Sequence, residues 1–400
     1  MTEFTFGPPK GFCDYFPEEA ERLESLILKA REVFRKYGFR PMVLPLVERF
    51  EVLSAKTASE SIADEIFFFE DKSGRKLGLR FDLTVPTARA VASRSVKLPF
   101  KRYAIGPVWR YDNPQRLRKR EFWQADVDVF GSRSVRADVE CVACACEFLE
   151  AVGLEFEVRV NDRKLMEGLI GKRPEVFRIV DKLDKLGEEG VRKLLKPFGD
   201  AERIMKIVSV KGGPEVLSEF EGTERLEEFF SLAKAAGISR YLKVDLSLVR
   251  GLDYYTSLVF EISVPGVGVS IGGGGRYDEL LGVYGKPLPA TGISVGLTRV
   301  AELLGPVRKR EGVFVAVASR NLVDRAAEIC RELREAGIRS EYEIGGRSLS
   351  AQLEYCDRTG VKTAVILGEK DLAEGKAVLR DMETGEERKV PLKAIGKALR

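Results

Sequence analysis

The chain has 400 residues, with 66 basic and 62 acidic side chains, a formal net charge of +4 and no histidine. Its length is enough for two or three domains, and the nearly balanced charge does not by itself indicate a nucleic-acid partner. The lack of histidine excludes Ser-His-Asp and Cys-His catalysis, histidine metal ligands and imidazole general bases. There is no long apolar run and no signal-like start, so we expect no membrane partner and a cytoplasmic location.

The first predicted elements are a helix, a proline-broken extended stretch and a hairpin. Pro17 and two acidic residues favour a helix start, apolar residues then keep helical spacing, and Gly38 is typical of a helix end. The stretch FRPMVLPLVE is predicted to be extended, and Pro45 favours an edge or an interface. Residues 66–70 and 76–83 are predicted to pair as a hairpin.

Residues 101–131 are predicted to form two strands around a basic loop. In the second strand, the alternation predicts a core face made of Trp123, Ala125, Val127 and Val129. The opposite face is either a solvated surface or the floor of a ligand site, and periodicity does not distinguish the two. That face carries Phe122, Gln124, Asp126, Asp128 and Phe130.

Arginines at the end of the first strand and in the loop favour an anionic ligand. Arg110 has small neighbours on its face, including Ala104 and Gly106, which leave room for a phosphate or carboxylate beside its guanidinium. The basic loop residues are either solvated charge or a contact for a polyanion. They are Arg116, Arg118, Lys119 and Arg120.

A predicted Ala-rich helix carries Cys141, Cys144 and Cys146 close together. A zinc site normally needs four well-placed ligands, and no second ligand pair is nearby. We therefore interpret the three cysteines as small buried thiols and predict no protein-only metal site.

The pattern changes twice in the rest of the chain. The stretch LEFEVRVN is predicted to be a half-buried strand, and residues 162–237 are then dominated by charged helices. These residues are predicted to be an inserted helical domain, because strand-like patterning resumes at Tyr241. From Gly312, apolar strands alternate with helices, which predicts a small α/β domain with a mostly parallel sheet.

Two glycine-containing stretches and one helix start favour a bound ligand. LVRGLDYYT contains Arg250, and IGGGGRYDELL contains four consecutive glycines that allow close approach of backbone to a ligand. They match neither the dinucleotide fingerprint nor the P-loop. ATGISVGLTRVAELL puts Arg299 in the first turn of a helix, where a cation is unfavourable unless an anion binds there too.

Nearly the whole chain resembles the histidyl-tRNA synthetases, which are class II aminoacyl-tRNA synthetases, and in particular their archaeal and eukaryotic-like branch. FRPMVLPLVE resembles the dimer-forming first motif of that class, KRYAIGPVWRYDNPQRLRKREFWQADVDVFG the second and ISVGLTRVAELL the third. LVRGLDYYT and GGGGRYDEL resemble two stretches particular to the histidine-specific enzymes.

The resemblance implies a fold of three parts. An α+β catalytic domain with an antiparallel sheet would span residues 1–161 and 238–305. A helical insertion would span residues 162–237, and a C-terminal α/β anticodon-binding domain would span residues 312–400.

The resemblance also implies an activity, its ligands and its residues. A homodimer would ligate L-histidine to tRNA(His) through histidyl-adenylate, with ATP as substrate and Mg²⁺ on its phosphates. Arg110 and Arg250 would be the catalytic cations, Arg110, Phe122 and Arg299 would bind ATP, and the basic loop residues would contact tRNA. The histidine-binding set would be Asp82, Thr84, Gln124, Asp128, Arg250, Tyr254, Tyr255 and Tyr277. In that set, Asp128 would accept a hydrogen bond from one imidazole nitrogen and Tyr255 would donate one to the other.

Departures and alternatives stay open at this point. Leu117 and Lys119 stand where relatives often carry glycine and an aromatic residue, which leaves open how the loop handles tRNA or ATP. The main alternative is a non-catalytic histidine-binding paralogue that regulates ATP phosphoribosyltransferase, although such proteins usually lack the C-terminal unit. A second is an enzyme that makes a related adenylate from another amino acid. Because the chain has no imidazole, we expect activity changes between about pH 5 and 8 to report mainly the substrate histidine.

Overall fold

The computed structural model describes residues 6–55, 65–249, 254–306 and 311–399. The chain divides into two compact units, Met1–Pro306 and Val307–Arg400. Within the described ranges, every helix is too short or too polar to cross a membrane.

The strands of the first unit lie in a large and a small sheet. In chain order they are β1 (Arg40–Pro41), β2 (Val47–Arg49), β3 (Phe68–Glu70), β4 (Lys76–Leu79), β5 (Phe100–Trp109), β6 (Glu121–Phe130), β7 (Glu157–Asp162), β8 (Lys211–Gly212), β9 (Leu242–Asp245), β10 (Leu258–Ser263), β11 (Gly272–Arg276) and β12 (Ala290–Gly296). The large sheet has the order β1-β5-β6-β12-β11-β10-β7-β9-β8, and the small sheet has the order β2-β4-β3. Pairing is antiparallel except between β1 and β5 and between β7 and β9.

The following α-helices lie in the described part of the first unit. They are α1 (Pro17–Lys36), α2 (Phe50–Ser54), α3 (Thr84–Ala92), α4 (Val135–Ala151), α5 (Arg163–Ile170), α6 (Pro174–Val180), α7 (Leu183–Leu195), α8 (Ala201–Val208), α9 (Glu224–Ala235) and α10 (Leu297–Leu304). The predicted first helix is confirmed, because α1 begins at Pro17 and ends just before Gly38, whose φ is +77°.

The first two connections refine the sequence prediction. The hairpin forms between β3 and β4, but its return strand ends at Leu79 rather than at Leu83. Pro45 lies in neither β1 nor β2, and each of these strands is at the edge of its sheet. The proline therefore stands between two edge strands, where its missing N–H leaves no ladder bond unmade.

The main hydrophobic core lies between one face of the large sheet and the helices α1 and α4. Ala125, Val127 and Val129 of β6 are buried in it, as predicted, whereas Trp123 is only half-buried. Cys141, Cys144 and Cys146 of α4 are fully buried in the same core, which confirms their interpretation as buried thiols.

The predicted helical insertion shares this core with the sheet. The Phe229 ring of α9 stacks on Phe260 of β10 with 5.5 Å between ring centroids. Within the same segment, β8 adds to the edge of the large sheet by pairing with β9. Its predicted start, Asp162, is the last residue of β7, and its side chain caps α5 by accepting from the Lys164 N–H. The insertion boundaries at residues 162 and 237 stay a prediction.

The second unit is an α/β layer with a mixed sheet. Its strands are β13 (Val313–Val317), β14 (Ser340–Tyr342), β15 (Thr363–Leu367), β16 (Lys376–Asp381) and β17 (Glu387–Pro391), and its helices are α11 (Val323–Glu335), α12 (Leu349–Arg358), α13 (Glu369–Ala373) and α14 (Ile395–Ala398). The sheet order is β14-β13-β15-β16-β17.

The prediction of a mostly parallel sheet in this unit is wrong for one half of it. β14, β13 and β15 are parallel, but β16 and β17 add as an antiparallel hairpin. The carboxylate of Asp381 closes the hairpin turn by accepting from the N–H groups of Glu383 and Thr384 at 2.9 and 2.8 Å. Charged residues on an exposed hairpin hide its strand periodicity, so the sequence pattern did not indicate it.

We expect Gly274→Ala to destabilise the first unit strongly. A Cβ at Gly274 would overlap the carbonyl of Gly292 on the neighbouring strand and would lie 2.6 Å from the Cα of Ile293. Backbone atoms in the middle of a sheet cannot move aside cheaply, so the expected loss is about 3 kcal/mol or more in the free energy of unfolding.

The measurement is thermal or urea unfolding followed by circular dichroism. Gly168→Ala is the matched control, because Gly168 lies in α5 with open space around it. That change should be neutral or slightly stabilising, since alanine favours a helix over glycine. Equal effects of the two substitutions would contradict the crowding at Gly274.

Candidate active site

The main cavity of the first unit has a volume of about 610 Å³ and lies over β6, β12, β11 and β10. It brings together most of the predicted site residues: Asp82, Thr84, Arg110, Arg118, Phe122, Gln124, Asp128, Tyr254, Tyr255, Tyr277 and Arg299. Arg250 lies outside the described residues. Residues from the segment between α6 and α7 border the cavity as well, so the predicted insertion contributes to its rim.

The polar face of β6 forms part of the cavity floor. Gln124, Asp126 and Asp128 are all buried there, which excludes the solvated-surface interpretation of this strand. Phe130, at the end of the same face, stands apart from the cavity, because it is buried between Phe100 and Tyr277. β6 lies between β5 and β12 in the sheet, and the sequence of β6 alone does not reveal those neighbours.

A buried ion pair fixes one end of this floor. The guanidinium of Arg102 has no solvent exposure, and its Nη2 lies 2.5 Å from Oδ2 of Asp128, its cross-strand partner. The hydroxyl of Tyr277 donates to Oδ1 of the same carboxylate. On the other side, Gly292 is paired with Asp128, and a Cβ at Gly292 would overlap the carboxylate. This glycine therefore makes the room in which Asp128 lies.

Three carboxyl groups lie near Arg102, and burial dominates the titration of each. Burial raises the pKa of Asp82 to about 6 and that of Asp126 to about 7, and it also raises the pKa of Asp128. Arg102 opposes the shift in all three, and Arg110 opposes it in Asp82. Burial thus shifts the pKa of two carboxyl groups of the site toward the range between pH 5 and 8, and the expectation that activity changes there report mainly the substrate histidine stays a prediction.

Asp82 and Thr84 enter the site from the start of α3. Thr84 is the first residue of the helix, and Oδ1 of Asp82 accepts from the Val85 N–H at 3.0 Å. A carboxylate is favoured at this position by the N-terminal end of the helix dipole. The contact fixes one oxygen of Asp82 while the side chain lines the cavity.

Three tyrosines form an aromatic wall beside the acidic residues. The ring centroids of Tyr254 and Tyr255 are 4.6 Å apart, and those of Tyr254 and Tyr277 are 6.2 Å apart. Burial raises the pKa of all three hydroxyls, so they stay protonated near neutral pH and can donate hydrogen bonds.

Arg110, Arg118 and Arg299 converge at the other end of the cavity. The Nε of Arg299 donates to the carbonyl of Leu117 at 2.7 Å, and its Nη1 donates to the carbonyl of Ser270. Burial, followed by the charges of Arg110 and Arg118, lowers the pKa of Arg299. Three guanidinium groups that repel one another make this end of the cavity favourable for a polyanion.

Arg110 lies in the site as the sequence predicts, but the space that was predicted beside its guanidinium is not free. Its Nε donates to the carbonyl of Phe81 at 3.0 Å, and its guanidinium lies 5.3 Å from the centroid of the Phe122 ring. The room predicted above Gly106 is not free for a ligand, because the guanidinium of Arg80 fills it. Arg80 donates from there to the carbonyl of Pro107 at 2.9 Å and to that of Leu44 at 3.0 Å.

The basic loop between β5 and β6 does not form one uniform positive surface. Lys119 lies 2.6 Å from Glu302, and Arg120 lies over the Tyr111 ring at 4.0 Å from its centroid. Arg118 lines the cavity and Arg116 is exposed. The tRNA contacts of these four residues stay a prediction.

Leu117 is strained in this loop. Its φ of +62° is the one positive value of a non-glycine residue within the described ranges. Glycine adopts this conformation more readily than leucine does. The leucine that stands here, where relatives often carry glycine, therefore has a strained backbone. The contact of Arg299 with the Leu117 carbonyl holds the loop in that conformation.

Three residues of the site were not assigned a role from the sequence: Asp126, Arg102 and Arg80. The alternation of β6 places Asp126 on the cavity face, so a signal for it was present. For the two arginines we find no comparable signal, because each acts through partners distant in sequence. Ser294 of β12 joins the floor in the same way by accepting from the Gln124 amide at 2.8 Å.

The chain matches known proteins along almost its whole length. The family model described as histidyl-tRNA synthetase matches residues 11–300, and the one described as anticodon binding domain matches residues 312–400. The chain is 39% identical to a histidine–tRNA ligase of Aeropyrum pernix, covering 98% of this chain and 97% of the relative. It is 37% identical to that of Pyrococcus furiosus, with 96% of each covered.

Solved structures give the same picture. A histidyl-tRNA synthetase from Nostoc sp. PCC 7120 superposes with a TM-score of 0.86 at 29% identity and covers 99% of both chains. A protein of Bacillus halodurans, titled ATP phosphoribosyltransferase regulatory subunit/histidyl-tRNA synthetase, superposes with a TM-score of 0.76 at 26% identity. The match to the second covers only 88% of this chain.

We expect Arg102→Met to destabilise the first unit, and more at pH 8 than at pH 5.5. Removing one member of a buried ion pair leaves an uncompensated charge and costs about 3–5 kcal/mol. Without Arg102, the pKa values of Asp126 and Asp128 should rise further, so the folded state takes up protons at acid pH. The cost then falls as the carboxyl groups become neutral and is greatest above their folded pKa values.

The measurement is urea unfolding of wild type and variant at both pH values. Arg133→Met is the matched control, because Arg133 has 77% of its side chain exposed and pairs with Asp278 only at 3.6 Å. A loss for Arg102→Met that is equal at both pH values, or no larger than for the control, would contradict the role given to the buried pair.

Proposed function

Since the chain belongs to the histidyl-tRNA synthetase family, we propose that its cavity binds histidine at the acidic end and ATP at the arginine end. The chain is a class II histidine–tRNA ligase, which ligates L-histidine to tRNA(His) with ATP as a substrate. Its fold is a catalytic domain built on a largely antiparallel sheet, followed by a C-terminal anticodon-binding domain. The observation that carries the site proposal is the separation of charge, with three carboxyl groups at one end and three guanidinium groups at the other.

The acidic end suits an amino acid with a basic side chain. Asp82 and Gln124, assisted by Thr84, are assigned the α-ammonium group, which brings three N–H donors to buried acceptors. The side chain then lies toward the tyrosines, where the family resemblance gives the imidazole N–H to Asp128 and the unprotonated nitrogen to Tyr255. Tyr254 and Tyr277 complete the wall of this pocket. A substrate without those two nitrogens would leave buried polar groups unsatisfied, which gives strong discrimination.

The arginine end suits the triphosphate of ATP. Arg110 is assigned the α-phosphate and the histidine carboxylate, and Arg299 the terminal phosphate. Phe122, whose ring lies against the Arg110 guanidinium, is assigned a face of the adenine. Arg250, by resemblance alone, would add positive charge on the opposite side of the α-phosphate.

The reaction then needs two displacements. A carboxylate oxygen of histidine forms a bond to the α-phosphorus, and the bond to the bridging oxygen breaks so that pyrophosphate leaves. A ribose hydroxyl at the 3′ end of the tRNA next attacks the acyl carbon, AMP leaves, and a phosphate oxygen takes the hydroxyl proton. Charge grows on phosphate oxygens in the first step, so the guanidinium groups stabilise it electrostatically without an enzyme imidazole.

Mg²⁺ is assigned to the nucleotide rather than to a protein cage. Within the described ranges, no three carboxylate, cysteine or histidine side chains come together as a metal site. Mg²⁺ commonly takes its ligands from substrate phosphates and water with one or two carboxylates, and this fits a cavity whose phosphate end is lined by arginines.

The proposed domain boundaries follow from the same family resemblance. We propose residues 1–161 and 238–305 as the catalytic domain, 162–237 as the insertion and 312–400 as the anticodon-binding domain. tRNA(His) would contact the last of these and the loop carrying Arg116, and the enzyme would act in the cytoplasm.

The regulatory paralogue is the less favoured alternative. The similarity to the Bacillus halodurans protein is consistent with it, but that match leaves 12% of this chain uncovered. The anticodon-binding match at residues 312–400 and the arginine end of the cavity are both features that ATP-dependent charging of tRNA requires.

The experiment is ATP–pyrophosphate exchange with each amino acid in turn. Exchange driven by histidine alone is expected, and binding of histidine without exchange would favour the regulatory paralogue. Exchange driven equally well by another amino acid would overturn the assignment of the acidic end.

In the same assay, Arg110→Ala is expected to lower the exchange rate by about 10²–10³-fold, because a preorganised charge on the α-phosphate is lost. Arg250→Ala should have a similar effect. Arg133→Ala, on an exposed loop, is the control and should retain the wild-type rate. Near-normal exchange in both site variants would contradict the proposed mechanism.

We also propose a homodimer formed by the segment that contains β1 and β2. Val43 is 95% exposed, and apolar side chains beside it and on β3 are exposed too: Leu46, Val47, Phe68 and Phe69. An exposed group of large apolar side chains is typical of an interaction surface. The surface includes the predicted first motif, which supports the proposal.

Val43→Asp is therefore expected to shift the protein from dimer to monomer, because a charge would be buried unpaired in the interface. Light scattering coupled to gel filtration measures the mass. Ile344→Asp is the control, since Ile344 is 82% exposed but belongs to the second unit. An unchanged mass for Val43→Asp, or an equal shift in the control, would contradict this interface.

A further inference from the structure

The basic loop between β5 and β6 is attached to one face of α10. Arg299 and Glu302 are three positions apart in that helix, so their side chains lie on the same face. Arg299 donates to the carbonyl of Leu117 at 2.7 Å, and Glu302 lies 2.6 Å from the Nζ of Lys119. The helix therefore contacts the loop on both sides of Arg118, which lines the arginine end of the cavity.

The ammonium group of Lys119 has a second partner, in the segment before α1. Its Nζ donates to the hydroxyl of Tyr15 at 3.3 Å and lies 4.8 Å from the centroid of that ring. Only 21% of the Lys119 side chain and 28% of the Glu302 side chain are exposed. Burial opposes the charge of Lys119, but Glu302 and Tyr15 outweigh it and raise the pKa of this lysine. Lys119 is therefore directed toward partners within the chain.

The helix that holds the loop is itself fixed on the large sheet. Leu297 and Val300 of α10 are fully buried in the main core. The hydroxyl of Thr298 accepts from the Trp123 N–H of β6 at 2.9 Å. A contact with α10 therefore fixes the loop relative to the strands that form the cavity floor.

The loop depends on such contacts because its turn is strained. The N–H of Arg118 donates to the carbonyl of Gln115 at 2.9 Å, and the N–H of Gln115 donates back at 3.0 Å. Leu117, the third residue of this turn, has the φ of +62° that favours glycine there. Strained backbone of this kind persists where surrounding contacts hold it. The contacts at residues 117 and 119 thus decide where the Arg118 side chain lies, together with its bond to Asp112 at 2.9 Å.

We propose that Lys119 and Glu302 are positioning residues that hold the basic loop on α10 and thereby place Arg118 at the arginine end of the cavity. Lys119 acts within the protein, instead of making the tRNA contact that the family resemblance implies for it. This inference rests on the proposed function and gives neither residue a contact with substrate.

The opposite charges of the two residues separate positioning from a direct electrostatic effect on ATP. By charge alone, loss of Lys119 would weaken the binding of ATP. Loss of the Glu302 carboxylate would strengthen it, because that carboxylate lies near Arg299 and partly offsets its positive charge. If the pair positions the loop, both substitutions weaken the binding of ATP.

The test is ATP–pyrophosphate exchange at saturating histidine with Lys119→Met, Glu302→Gln and the double variant. We expect the KM for ATP to rise about 10-fold in each single variant, because a misplaced charge contact is lost from the bound geometry. The double variant should be no worse than either single variant, since the two residues act as one coupled pair. The KM for histidine should stay at its wild-type value. Lys119→Arg keeps the charge and should restore most of the ATP binding.

Aminoacylation of tRNA(His) at saturating ATP tests the other role of Lys119. Lys119→Met and Glu302→Gln should give the same KM for tRNA if the two residues act as a pair. A higher KM for tRNA in Lys119→Met alone, with an unchanged KM for ATP, would overturn the inference and make this lysine a phosphate contact. A lower KM for ATP in Glu302→Gln, or additive effects in the double variant, would also overturn it.

Lys29→Met and Glu32→Gln are the matched controls, because Lys29 and Glu32 form a pair of the same length, 2.6 Å, within α1. Neither should change the KM for ATP. The unfolding temperature of every variant should stay close to wild type, since partly exposed ion pairs add little stability. Failure of wild type to catalyse histidine-dependent exchange would overturn the proposed function itself. Normal exchange in wild type, with an unchanged KM for ATP in the Lys119→Met and Glu302→Gln variants, would overturn this inference alone.

Discussion

The fully buried guanidinium of Arg102 is the interaction on which the acidic end of the cavity depends. Three carboxyl groups lie near it in a place that burial makes unfavourable for charge, and its positive charge opposes the rise in pKa of all three. The register of the strands also brings this pair together. Arg102 and Asp128 are cross-strand partners on β5 and β6, and Gly292 on the other side leaves space for the carboxylate. Ion pairs of this kind add little net stability, but removing one partner is costly, so the site depends on the set being complete.

At the arginine end of the cavity, like charges lie together and repel one another. Burial lowers the pKa of Arg299, and the positive charges of Arg110 and Arg118 lower it further. β11 forms another part of the cavity floor, and its glycines present no side chains and let the neighbouring strands approach closely. The two ends of the cavity together favour a substrate with a cationic and an anionic part.

Much of the architecture was predictable from local patterns. The helix α1, the strands β5 and β6 and the Cys-containing helix α4 follow from periodicity, proline and glycine, because each buries one face against a common core. The resemblance of the glycine and arginine stretches to one enzyme family located most of the cavity residues. The β16–β17 hairpin escaped prediction because its strands are short, charged and half-exposed.

The contacts that side chains make were harder to predict than the helices and strands. The space over Gly106 was expected to admit a ligand, but it is filled by Arg80, a residue that approaches from a different sheet. Lys119 and Arg120 were predicted to be either solvated charge or contacts for a polyanion, and in the structure each also contacts the protein itself. Arg80 and the Glu302 partner of Lys119 come from elements distant in sequence, and no spacing within the local sequence contains that information.

The amino-acid sequence by itself determined the class of chemistry and the face of each strand. Without histidine, proton transfer and charge stabilisation fall to carboxylates, arginines, tyrosines and the substrate, and the period of two in β6 put its carboxylates on one side. Only the tertiary structure decided the direction in which the pKa of each group is shifted and which charge lies beside it. Those properties depend on burial and on charges brought together from distant parts of the chain, and electrostatic energy in a buried site is set by distance in space rather than along the sequence.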